Sequence, residues 1–281
     1  MDYQLHCRVI IQAMKKSPQK PKKAGRIPAQ ATNQPSSKRT PGRVQLFDLM
    51  RGLAIALMVG YHFCFDLKHF GLAHFDFNHA PFWLAARTVI LSLFLCLVGI
   101  SLVLSTKNGF DARKYFLRLG WLAAAAALSS IASRMAFPES WIFFGALHFI
   151  LLASIVGLAF LRLYWANLIF GILIILAGMS LQYTLFDHSW LQWIGLMTHK
   201  PFTVDYVPLF PWLGVVLIGL FLGEFFLRCP WMPVLAAWRS EHPAIRALAL
   251  AGRHSLLVYM LHQPVLMGVL WVASQTPFFV K

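Results

Sequence analysis

Beyond residue 44 the chain is a succession of apolar runs separated by short polar joints. The runs fall at roughly 45–65, 82–105, 115–133, 141–161, 163–184, 207–227 and 253–274. Each is close to the twenty or so residues that a helix needs to cross roughly 30 Å of hydrocarbon, and none alternates strictly as a barrel strand would. The pattern predicts an all-α, polytopic membrane helical bundle of about seven transmembrane helices. Only a tight turn near Arg162 separates the fourth run from the fifth, which predicts a helical hairpin. No stretch repeats another, so the inverted-repeat plan of many transporters finds no support. Residues 44–281 read as one membrane domain.

The first run, FDLMRGLAIALMVGYHFCFD from Phe47 to Asp66, is apolar enough to span, yet it carries Asp48, Arg51, His62 and Asp66. At about 100° per residue all four fall within about 60° of one another around the helix. Asp48 and Asp66 stand roughly 27 Å apart along the axis, so the polar stripe runs nearly from one membrane face to the other. Ionisable groups inside a span are costly, and they usually face a protein interior or a wet cavity that uses them. The alternative is purely structural: Asp48–Arg51 as an i,i+3 pair and His62–Asp66 as an i,i+4 pair.

Composition agrees with the pattern. The chain is 58% hydrophobic and 12% charged, with mean hydropathy +0.63, about half the charge of a soluble domain. A net charge of +15 would suit nucleic acid, but its placement follows membrane topology instead. With the N-terminus inside, 19 of the 25 Lys and Arg are cytoplasmic, ten of them in residues 1–43. Only Lys68, Arg134, Lys200 and Lys281 lie outside, and Arg51 and Arg87 lie within runs. The predicted orientation is N-in, C-out. Residues 1–43, rich in Pro, Gln, Ser and Lys, are expected to be a disordered basic cytoplasmic tail that touches anionic headgroups, or else an over-long assigned start. They contain no apolar core of a signal peptide. The four cysteines form neither a disulfide framework nor a C-x-x-C metal signature, and read as buried hydrophobes.

This orientation places two loops outside, 66–81 and 185–206, and gathers seven of the eleven histidines near them. Their irregular spacing argues against a metal site, and none is expected. His79, in Asn78-His79-Ala80-Pro81, opens the second run. That stretch suits a helix start, and it also puts an imidazole able to act as base or nucleophile at the outer mouth. Arg87 is a second charge within a run, expected to pair with Asp66 or Asp76 or to bind an anion. His148 in the fourth run is either a satisfied core histidine or a cavity-lining one. Asp205 stands at the start of the sixth run, whose Pro208 and Pro211 fix the chain's approach. In the seventh run Gly252, Ser255, Tyr259 and His262 share one stripe, and Pro264 bends the helix. Arg253 is placed to meet a phosphate at the cytoplasmic face, or simply to anchor the helix there.

Taken together, FDLMRGLAIALMVGYHF, FNHAPFW, LFLCLVGISLVLS, FFGALHFI, DYVPLFPWLGVVLIGLFLGE and GRHSLLVYMLHQPVL resemble the heparan-α-glucosaminide N-acetyltransferase catalytic-domain family, in its compact bacterial branch. The resemblance covers most of 44–270, with the pieces in the family's order. It implies an integral membrane acyltransferase of the bacterial inner membrane, taking acetyl from cytosolic acetyl-CoA to an amine or hydroxyl of an extracytoplasmic glycan. The family's essential histidine lies in a K-H-A-S-W-type stretch, which maps to Asn78-His79-Ala80-Pro81-Phe82-Trp83 and gives His79 that role. His62 stands where the family has Asn, and the loop from His62 to His79 is longer. On this reading His79, His62 and Asp66 carry the chemistry, and Arg51, Arg253 and Asp48 hold the acyl-CoA. Arg87, His148, Asp205, Tyr259 and His262 line the acceptor's cavity. The lipid bilayer is the other partner, and homodimerisation stays open. A small-solute or proton transporter using the same stripe, and a non-catalytic membrane subunit, are the alternatives.

Overall fold

The computed structural model describes residues 44–106 and 109–275. The expected tail, 1–43, lies outside the described residues. Among the described residues every regular element is helical: α1 (Gln45–His69), α2 (Pro81–Thr106), α3 (Ala112–Ala136), α4 (Ala146–Phe160), α5 (Tyr164–Ser180), α6 (Leu209–Arg228), α7 (Met232–Ala237), α8 (Pro243–Arg253) and α9 (Ser255–Ser274). Two short 3₁₀ turns, Thr184–Asp187 and Gln192–Ile194, shape the loop between α5 and α6. Each expected run contains a helix. Five of them, α1, α2, α3, α6 and α9, are long and apolar enough to cross a membrane. The fourth and fifth runs give shorter apolar helices of 15 and 17 residues.

Local chemistry sets the ends. Asp111 caps α3 by accepting from the Lys114 N–H at 3.1 Å. Phe210 is extended before Pro211 (φ −94°, ψ 130°), so the regular turns of α6 follow that proline. The α4–α5 hairpin is tied by Asn167, fully buried, whose amide donates to the Phe160 carbonyl at 3.0 Å. The seventh run proves to be two elements. α8 ends at Arg253, His254 leaves helical geometry (φ −104°, ψ 31°), and α9 starts at Ser255. Gly252 and Arg253 therefore belong to a different helix from Tyr259 and His262, which corrects the single stripe expected from sequence.

The core lies where α2, α4 and α6 meet, around Leu95, Leu102, Phe149, Ala153, Val216, Leu217 and Leu220, with Leu122 and Ala126 of α3 sealing it. Outward faces are apolar too: Trp121, Ile131, Leu173, Met179 and Val269 are all exposed. A helix apolar on every side suits hydrocarbon surroundings. Interior contact then rests on close packing and small residues rather than on greasiness alone. At the α2–α6 crossing, a Cβ on Gly99 would strike the backbone of Val216 and Gly219, and one on Gly219 would strike Cys96. At the α1–α8 crossing, a Cβ on Gly52 would strike the Leu248 carbonyl, and one on Gly252 the Asp48 carbonyl.

Backbone cannot yield as a side chain can, so Gly52→Val is expected to destabilise the protein by about 2 kcal/mol or more. Gly60→Ala on the same helix meets nothing within 4 Å and should be neutral or slightly stabilising. Thermal unfolding of the two detergent-purified variants checks the contrast.

Candidate functional site

The ionisable residues of α1 fall into two clusters. Near its N-terminus Asp48 is buried, 2% exposed, and accepts from two guanidinium groups: Arg51 Nη1 at 3.0 Å and Arg253 Nε at 3.2 Å. Arg51 also donates through Nη2 and Nε to the Ser101 hydroxyl of α2, at 2.7 and 3.2 Å. The Ser101 hydroxyl itself donates a hydrogen bond to the Leu97 carbonyl. The expected Asp48–Arg51 pair is therefore present, and Arg253 joins it from α8. The Arg253 side chain is 47% exposed, so it can still turn a face to a ligand.

Near the C-terminus of α1, His62 meets α9. Its ring lies 5.0 Å from that of His262, edge to face. The expected His62–Asp66 pair does not form. Asp66 is turned to α9 instead, where its Oδ1 accepts from Gln263 Nε2 at 2.8 Å. His262 Nδ1 lies 2.6 Å from the Tyr259 carbonyl, an acceptor only, so this nitrogen carries the proton.

His79 sits in the loop between α1 and α2. Asp76 organises the turn: its Oδ1 accepts from the backbone N–H of Asn78 at 3.1 Å and of His79 at 3.0 Å. Both carboxylate oxygens also lie 3.2 Å from His79 Nδ1. These bonds, led by the His79 N–H, hold the Asp76 carboxyl below its ordinary value. An ionised carboxylate only accepts, so Nδ1 carries a proton, and in the neutral form of the ring Nε2 is the bare nitrogen. The His79 side chain is 85% exposed. Beneath it Phe77 is buried against Tyr61 and Trp83, with ring centroids at 5.3 and 4.4 Å, which fixes the loop to α1 and α2. Lys68, His74, Phe75 and Asp76 border a shallow cleft of about 320 Å³ beside it.

A third cluster joins the loop before α6 to α4 and α9. Asp205 Oδ2 accepts from the Ala146 N–H at 2.8 Å, the first free amide of α4, and from the Tyr259 hydroxyl at 3.3 Å. A Cβ on Gly145 would strike that carboxylate, so only glycine admits it. Burial raises the Asp205 carboxyl despite these donors, and burial followed by the Arg87 charge lowers the Lys200 ammonium. His148 uses both ring nitrogens: Nδ1 accepts from the Gly145 N–H at 3.4 Å, and Nε2 lies 3.2 Å from Ser130 Oγ. Ser130 donates its proton to the Ile142 carbonyl at 2.7 Å, so Nε2 must be the donor and the ring is held neutral. Both its nitrogens are thus engaged within the protein. Arg87 is exposed and forms no ion pair among the described residues; Tyr61 and Lys200 are its electrostatic neighbours.

The sequence reading missed the turn-holding role of Asp76, which it had offered only as a partner for Arg87, and missed Gln263 altogether. Asp76, two and three positions before the amides it binds, carried a legible signal, since Asp commonly closes such turns. Gln263 carried none. Among the described residues no group of three or more His, Cys, Asp or Glu side chains is placed to hold a metal.

The direction of the Asp76 shift fixes the pH behaviour of the His79 turn. A carboxyl lowered by folding stabilises the turn fully above its ordinary value of 3.8, and this is lost as pH falls through the folded value. Hydrogen exchange should show the Asn78 and His79 amides slowed at pH 5 and released at more acid pH. Asp76→Ala should remove the protection at both.

Residues 43–264 match the family model described as heparan-alpha-glucosaminide N-acetyltransferase, catalytic. No curated protein and no solved structure matches the chain. With the match running from the start of α1 through Pro264 of α9, across every cluster described above, the chain belongs to the heparan-alpha-glucosaminide N-acetyltransferase catalytic family.

Proposed function

We propose that this multi-pass membrane protein of an acyltransferase family moves an acetyl group from cytosolic acetyl-CoA to an amine or hydroxyl of a glycan on the far side of a bacterial inner membrane. The topology is seven spans, N-in and C-out, supported by the Lys and Arg distribution. The observation that carries the chemistry is the Asp76–His79 dyad. Its carboxylate, which borders the cleft, fixes the imidazole tautomer, and the His79 side chain stands exposed with Nε2 unbound. This is the arrangement a general base requires.

At the opposite end of α1, Arg51 and Arg253 supply guanidinium groups suited to the phosphates of acyl-CoA. Asp48 holds the pair in place against their mutual repulsion. The pantetheine arm follows the stripe between the two ends. In transfer, the acceptor's nitrogen or oxygen forms a bond to the acyl carbon while the C–S bond breaks. His79 Nε2 takes the acceptor's proton and the CoA sulfur receives it. In a two-step variant the same lone pair carries the acyl group first. Asp76, rather than Asp66, orients the imidazole.

Purified protein in nanodiscs with radiolabelled acetyl-CoA and a glucosamine acceptor tests this. Wild type should label the acceptor, and His79→Ala should lose about a hundredfold or more of the rate. Label retained on protein before acceptor is added, absent in His79→Ala, selects the two-step variant. No transfer from acetyl-CoA or longer acyl-CoA to amine or hydroxyl acceptors would overturn the reading.

A further inference from the structure

The outward face of α3 carries a groove of about 620 Å³, lined by Arg113, Phe116, Leu117, Gly120, Trp121 and Ala124. At about 100° per residue Arg113, Gly120 and Ala124 fall within about 40° of one another, so the arginine stands in line with the two small residues of the floor. Phe116 falls to one side of that line, Leu117 and Trp121 to the other, and all three are exposed. The opposite face of α3, with Tyr115, Leu122 and Ala126, is buried in the core. A Cβ on Gly120 would meet nothing within 4 Å, so no neighbouring element among the described residues covers the floor there.

The groove begins at a charge and ends near mid-membrane. Arg113 lies in the first turn of α3, a helix long and apolar enough to span. Ala124 follows roughly 16 Å along the axis at 1.5 Å per residue, about half of a roughly 30 Å hydrocarbon core. Asp111 is already engaged, since it pairs with Lys114 at 2.9 Å and caps the helix. The Arg113 side chain has no ion pair among the described residues.

A cation at headgroup level above an apolar channel one leaflet deep matches a phospholipid, whose phosphate lies at the interface with its acyl chains beneath. A zwitterionic headgroup offsets the phosphate with its own ammonium, so a lipid of net negative charge is the better match. A second copy of the chain is a poorer one. Two α3 helices packed in parallel through this face about a two-fold axis would bring their Arg113 side chains together without a counter-charge.

We propose that this groove is the seat of one anionic phospholipid, with its phosphate on Arg113 and an acyl chain laid over Gly120 and Ala124 between Phe116 and Trp121. The seat is independent of acyl transfer. Because the lipid binds only the folded surface, it stabilises the protein by mass action.

The test is native mass spectrometry of the full chain in detergent, with added phosphatidylglycerol or phosphatidylcholine of the same acyl chains. One phosphatidylglycerol is expected to stay bound under activation that strips phosphatidylcholine. Arg113→Gln should weaken its retention about fivefold, the effect of one cation near an anionic lipid. Gly120→Leu should weaken it at least as much, because the new side chain enters the groove from a position that touches no other part of the protein. Gly268→Leu, on α9, also meets nothing within 4 Å at its Cβ and should bind as wild type does. Thermal unfolding separates binding from folding: added phosphatidylglycerol should raise the midpoint of wild type and Gly268→Leu, and not that of Arg113→Gln or Gly120→Leu. Equal retention of the two lipids, or retention of phosphatidylglycerol indifferent to both Arg113→Gln and Gly120→Leu, would overturn the seat. So would a wild-type dimer that Gly120→Leu separates, which would give the groove to a second copy.

Discussion

A charge enclosed in an apolar bundle must be met by an opposite charge or by hydrogen bonds, and Asp48 is where this requirement shapes the molecule. Its carboxylate joins Arg51 on its own helix to Arg253 on α8. Arg51 extends the connection to α2 through Ser101. Gly52 and Gly252 let the α1 and α8 backbones come close enough for Arg253 to reach. Gln45 exchanges two hydrogen bonds with the backbone of Ser240 at the same crossing. Removing one partner of such a group would leave the other uncompensated, a cost of about 3–5 kcal/mol for a buried pair. The segment from 240 to 253 is therefore held by polar contacts where apolar packing alone would not fix its register.

Much of the helical order was legible from the apolar runs, because a hydrocarbon surround enforces length and backbone self-satisfaction more strictly than water does. The α4–α5 hairpin at Arg162 and the role of Pro208 and Pro211 in starting α6 were equally readable. α7 and α8 were not. They occupy a stretch with Pro233, Pro243 and several charges that breaks the apolar pattern, and α8 is amphipathic rather than apolar throughout. The break at His254 was missed because Gly252-Arg253-His254-Ser255 was read as the first turn of the seventh run, where polar residues at a membrane face are expected.

Of the site, the α1 stripe could be placed by angle alone, and Asp48–Arg51 followed from spacing. The partner of Asp66 could not be foreseen. Spacing favoured His62, four residues back on the same helix, but a side chain at i+4 competes with whatever the neighbouring helix presents. Here α9 presents an amide NH₂ at 2.8 Å. Sequence placed His79 at the outer mouth and His148 within the fourth run, but could not say which ring nitrogens either one has engaged. Neighbouring donors and acceptors separate them: His148 has both nitrogens engaged, whereas His79 has one held and one free.

The chain from Thr203 to Val207 lies along 140–146, with Thr203 bonded to Trp141, Val204 to Ser140, Asp205 to Ala146 and Val207 to Phe144. At the other end the Tyr183 N–H donates to the Leu196 carbonyl at 2.8 Å, just beyond α5. The middle of 185–202 is seated rather than loose: Leu196 and Met197 are buried, Gly195 lies against Pro208 and Phe210, and the Tyr206 hydroxyl donates to the Gln192 carbonyl. Leu185, Trp190 and Phe202 are its exposed points. Length can therefore change at those points without disturbing the bundle, whereas a residue added at 195–197 would have to displace the start of α6.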